Sequence, residues 1–84
     1  MRGKEIERVM LRLLEERGEG KTICPSEAAR AVAGSEERAK WEPLMSAVRE
    51  VAVRMVEEGK IVVTQKGRVV DGATAKGAIR FRLR

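Results

Sequence analysis

Residues 58–84, EGKIVVTQKGRVVDGATAKGAIRFRLR, decide the fold. The segment 61–66, IVVTQK, is rich in β-branched side chains, which pack well on a pleated, half-buried surface. Strand alternation puts Ile61 and Val63 on one face and Val62 and Thr64 on the other. Residues 78–83, AIRFRL, alternate as cleanly: Ile79, Phe81 and Leu83 are expected inside, and Arg80, Arg82 and Arg84 outside. Residues 67–77, GRVVDGATAKG, carry three glycines and an Asp-Gly pair, a composition that predicts a mobile hairpin loop between the two strands.

Upstream of this hairpin the apolar period changes from two to about 3.6. Over 4–17, Ile6, Val9, Met10, Leu13 and Leu14 form one stripe of a helix that Gly18 and Gly20 end. Lys21-Thr22-Ile23 leans to strand. Pro25 suits a first helical position, which makes Cys24 the N-cap and Glu27 the partner of a capping box. This second helix runs from about Pro25 to Val32 or Ala33, buries Ala28, Ala29 and Val32, and stops at Gly34. Residues 34–42, GSEERAKWE, read as a polar connection with room for one helical turn. Pro43 opens a third helix that continues to about Glu58, with Gly59 as its C-cap. Leu44, Val48, Val51 and Met55 form its core seam, widened by Ala47, Ala52 and Val56; Ser46, Arg49, Glu50, Val53 and Glu57 lie opposite.

Helix, short strand, helix, helix, strand, loop, strand is the order of a winged helix-turn-helix. The expected class is α+β: three helices plus a small antiparallel β-sheet with a C-terminal hairpin wing, as a single domain over 1–84. With Trp41 and Phe81 the only aromatic residues, the core has to be aliphatic.

Composition narrows the function classes. No histidine is present and Cys24 is the sole cysteine, so neither a Cys/His nucleophile nor an ordinary zinc site is expected, and no cofactor or metal is foreseen. The reading is a binding protein, not an enzyme. A single thiol, no apolar leader in MRGKEIERVM and no run long enough to span a bilayer predict a cytoplasmic location without membrane contact. Charge is segregated along the chain. Residues 1–59 hold 11 Lys/Arg against 12 Asp/Glu; residues 60–84 hold 7 Lys/Arg against Asp71 alone, which places the whole positive excess in the last segment. One-sided basic charge is the footprint of a polyanion binder, although a solvated basic strand would have the same composition.

ICPSEAARAV (23–32), W-x-x-L-M-x-x-V-R (41–49), E-G-K-I-x-V-T-Q-K-G (58–67) and K-G-x-I-R-x-R (76–82) occur in order and span nearly the whole chain. In these blocks the chain resembles domain-of-unknown-function family 3253, a family of small bacterial proteins. The resemblance implies a winged-helix-like fold and no activity.

The expected partner is double-stranded DNA. Lys66, Arg68, Lys76, Arg80 and Arg82 are the candidate phosphate contacts; if all five engaged, log affinity would fall against log salt with a slope of about −4 to −5. Ser46 and Arg49, on the outer face of the third helix, are the candidate base readers. Glu42, Glu50, Glu57 and Glu58 make that helix acidic and oppose its approach to phosphate. This opposition leaves a second expectation open: a winged-helix module that docks a protein partner or forms a homodimer without nucleic acid. Cys24 is read as a capping residue before a redox thiol, and Trp41 as packing beneath the preceding loop before stacking on a base.

Overall fold

The computed structural model describes residues 2–84. Helix α1 (Gly3–Arg17) forms where the apolar stripe predicts it, and Ile6, Met10 and Leu14 on that stripe are fully buried. The chain turns into strand β1 (Thr22–Ile23) and then α2 (Pro25–Ala33). The capping box is present at the start of α2: the Cys24 amide donates to the Glu27 carboxylate at 3.0 Å. Ala28 and Ala29 are fully buried, small enough for α2 to lie against both α1 and α4.

The connection from α2 is more ordered than a polar linker. It contains α3 (Arg38–Trp41) and a 3-10 turn, Glu42–Leu44, before α4 (Met45–Glu57) begins. Trp41 explains the order. Its indole Nε1 donates to the Glu36 carbonyl at 3.2 Å, and the guanidinium carbons of Arg30 and Arg38 lie 5.7 and 6.0 Å from the ring centroid. The ring is half-buried against the core, so Trp41 is a packing residue that ties α3 to α2. The third helix predicted from Pro43 thus starts two residues later as α-helix, with Pro43 inside the 3-10 turn.

Strands β2 (Ile61–Gln65), β3 (Arg68–Val70) and β4 (Arg80–Leu83) complete a four-stranded antiparallel sheet in the order β1-β4-β2-β3. Val63 pairs with Phe81 and Ile61 with Leu83, which directs Ile61, Val63 and Phe81 into the core, where all three are buried. The chain is therefore α+β: α1 and α4 pack against a small sheet, and α2 lies against both of them.

One expectation is corrected. Residues 67–77 are not a single loop, because Arg68–Val70 pair with Val63–Gln65 as an edge strand. The turn between them is only Lys66-Gly67, with φ of 52° and 81°. Both central residues at positive φ is the type I′ geometry whose twist matches paired strands. Its usual sequence signals are Asn-Gly and Asp-Gly; here a lysine takes the first place, so the turn is hidden among the other glycines. The rest of the segment is pinned as well. The Asp71 carboxylate accepts from the Ala73 amide at 2.9 Å, and its carbonyl accepts from the Ala75 amide at 2.9 Å. Gly72 lies so close to Val63 that an added Cβ would stand 2.8 Å from its Cγ2. No helix among the described residues is long and apolar enough to cross a membrane.

Candidate nucleic-acid interface

The hairpin tip, the segment before β4 and the start of α2 border an open cleft of about 1030 Å³. Four of the five predicted wing cations line it: Lys66, Arg68, Lys76 and Arg80, together with Gln65 and Cys24. Local structure explains the convergence. Lys66 sits in the tight turn, and Arg68 follows on β3 directly opposite Gln65. Lys76 is brought over by Gln65, whose side-chain amide donates to the Lys76 carbonyl and, at 3.4 Å, to the Ala78 carbonyl. Gln65 thereby fastens the 76–78 segment to the hairpin.

Arg80 differs from the other three. Its guanidinium donates to the Thr22 side chain and, at 3.3 Å, to the Thr22 carbonyl, and it lies 3.8 Å from the Glu27 carboxylate. Glu27 also pairs with Arg17 at the end of α1. One carboxylate therefore joins α1, the cap of α2 and β4. Burial pushes the Glu27 carboxyl up, but the Cys24 amide, the Arg17 guanidinium and the Cys24 thiol outweigh it and hold it below the ordinary carboxylate value. Lys66, Arg68 and Lys76 take part in no ion pair among the described residues, and no acidic side chain lines the cleft.

Arg82 stands apart from this group. Its register partners are Thr22 and Val62, which places it on the outer face of the sheet, next to the row of Arg80, Thr64 and Val69. Val69 is 61% exposed there and is the one large exposed hydrophobic side chain among the described residues. Ser46 and Arg49 are not brought to the cleft. Ser46 is exposed on α4, whereas Arg49 is half-buried in a groove it shares with Glu50, Val53, Gly72, Ala73 and Ala75. The loop after β3 lies against the Arg49, Glu50 and Val53 face of α4, the face that would have to meet base edges.

Gln65, Thr22 and Glu27 carry no binding signal in the sequence. Glu27 was visible as a capping residue, but its reach to Arg80 depends on β1 lying next to β4. Nothing in the local pattern marks Gln65 as the anchor of residues eleven and thirteen positions away.

Comparison with known protein families finds a match over residues 3–84 to the family described as protein of unknown function (DUF3253). No curated protein matches the chain.

Proposed function

The chain belongs to this family, whose description assigns no activity, and from the chain's own surface we propose that it is a winged-helix module that binds double-stranded DNA through its basic wing. Support for the winged-helix reading comes from the order of elements, in which α2 and α4 would be the two helices of a helix-turn-helix and the β2–β3 hairpin with β4 would be the wing. The connection between the helices, 34–44, is longer than the three- to four-residue turn usual for that motif and holds a helix of its own.

The observation that carries the binding reading is the convergence of Lys66, Arg68 and Lys76 without acidic partners. Like charges held together repel, and an anion relieves the cost. Lys66 strengthens the point: it is the sole non-glycine residue at positive φ among the described residues, and it places an ammonium at the hairpin tip. Local strain of this kind collects at functional positions. Contacts to phosphate position a protein on a duplex without reading its sequence. Ser46 and Arg49 stay the only candidates for base contact, with Glu50 beside them opposing it.

The test is fluorescence anisotropy with a generic duplex over a salt series. With Arg80 shared with Glu27 and Arg82 outside the cleft, Lys66, Arg68 and Lys76 predict a log–log slope of about −3. Arg68→Ser with Lys76→Ser should lower affinity on every duplex sequence alike. Absence of binding at low salt would remove the reading. The exposed Val69 on the open-edge strand β3 favours docking of a protein partner or a second copy as the second reading. That reading predicts association in sedimentation that Val69→Lys abolishes and added salt leaves intact.

A further inference from the structure

Cations gathered around a hollow can hold a compact polyanion as well as meet the phosphates of a long one. Lys66, Arg68, Lys76 and Arg80 surround one concave volume. Arg80 is held by Thr22 and Glu27, and Gln65 holds the Lys76 segment to the hairpin. We propose that this cleft is a binding site for a diphosphate group, as carried by inorganic pyrophosphate or a nucleoside diphosphate. The inference rests on the same cations as the duplex-binding reading and deepens it: a soluble diphosphate and a DNA strand would compete for Lys66, Arg68 and Lys76.

The chemistry favours two phosphates over one. Three cations without acidic partners exceed what a single phosphate dianion neutralises, and a diphosphate carries up to three or four negative charges on oxygens spread across the hollow. Arg68 presents a planar fork that engages two phosphate oxygens together, while Lys66 and Lys76 act as point charges. Cys24 lines the cleft with no part in this recognition.

The experiment separates built-site binding from mere charge attraction by using a charge-neutral change. Gln65→Ala frees the 76–78 segment and leaves the net charge as it is. Isothermal titration with pyrophosphate, without DNA, is run for the native chain, Gln65→Ala and Arg68→Ser, against sulfate at matched ionic strength. A site of this kind binds pyrophosphate at least about tenfold more tightly than sulfate, and loss of the Gln65 hydrogen bonds weakens it by about three- to tenfold. Circular dichroism of Gln65→Ala establishes that it folds, and Arg68→Ser, at an exposed edge position, keeps the test open if it does not. Equal affinities for pyrophosphate and sulfate, or pyrophosphate affinity untouched by Gln65→Ala in a folded variant, would overturn the proposal. Its failure differs from failure of the duplex reading: salt-sensitive duplex binding that pyrophosphate cannot displace at matched ionic strength defeats the diphosphate site alone, and pyrophosphate binding without duplex binding defeats the other alone.

Discussion

If the hairpin tip binds phosphate as proposed, Lys66 sets stability against binding in one residue. Left-handed backbone costs an L-residue roughly 1–2 kcal/mol, less for asparagine, whose side chain bonds locally. Lys66→Asn should therefore stabilise the fold by about 0.5–1 kcal/mol, a rise of roughly 2–8 °C in Tm for a domain of this size. The same change removes the tip ammonium and should weaken duplex binding, so calorimetry and anisotropy move in opposite directions. Gly72 has the converse character: Gly72→Ala drives a methyl into Val63 and should cost about 1–3 kcal/mol, seen as a lower denaturation midpoint. Glu27 sets an acid limb. Its folded-state pKa lies below the unfolded value, so its contribution is intact above the ordinary carboxylate value of 4.5 and fades as pH falls through the depressed value. Stability measured from pH 6 down to pH 3 should fall less steeply in Glu27→Gln than in the native chain. Of these residues, Glu27 was legible in part, because Cys24, Pro25 and Glu27 have the spacing of a cap. Lys66 was not, since a Lys-Gly turn is chemically unlike the Asn-Gly that announces one, and Gly72 needs the fold before its neighbour is known.

Elements follow the same division between local and distant causes. Helices α1 and α4 and strands β2 and β4 were legible because each carries its own periodicity, with Ile6, Met10 and Leu14 at helical spacing and Ile79 and Phe81 alternating with arginine. Strand β3 was not legible. Three residues between glycine-rich flanks have no period of their own, and Arg68–Val70 become a strand only because β2 offers a free edge. The extra turn at α3 was glimpsed as a helical tendency in 34–42, but it is fixed by Trp41 between Arg30 and Arg38, a contact across sequence. Native-state hydrogen exchange should rank these elements. Amides of β4, paired on both sides by β1 and β2, are expected to exchange slowest in the sheet, and those of the edge strand β3 faster. Residues 67–70 exchanging as rapidly as an unstructured peptide would restore the single-loop picture. Phe81 is the largest fully buried side chain, at the centre of that order. Phe81→Ala should cost about 3–5 kcal/mol, a large share of the ~5–15 kcal/mol that holds a small domain folded.

Across the whole molecule, charge is sorted by structure as it is by sequence, but not into one uniform face. Part of the helical layer's charge is paired: Arg38 with Glu42, Lys40 with Glu37, and Lys60 bridges Glu7 and Glu58 where β2 begins. The carboxylates of Glu7 and Glu58 hold the Lys60 ammonium above its ordinary value, so this exposed tie is complete at neutral pH and is lost only as alkaline pH passes that raised value. Along the β2–β3 hairpin and into β4, Lys66, Arg68, Lys76 and Arg82 take part in no ion pair among the described residues, and Arg80 is the exception. Such an arrangement lets the domain meet a polyanion without first breaking the ion pairs that join its helices. It also divides the expected salt dependence. Each phosphate contact contributes about −0.9 to the slope of log affinity against log salt, so Arg68→Ser with Lys76→Ser should flatten it by about 2. Arg49→Ala, half-buried beside Glu50 and the loop after β3, should change it by less than about 1. A slope that drops as far with Arg49→Ala as with the wing pair would move the interface onto α4. The helix would then have to bring Glu50 to the phosphates, and affinity should rise when that carboxylate is neutralised in Glu50→Gln.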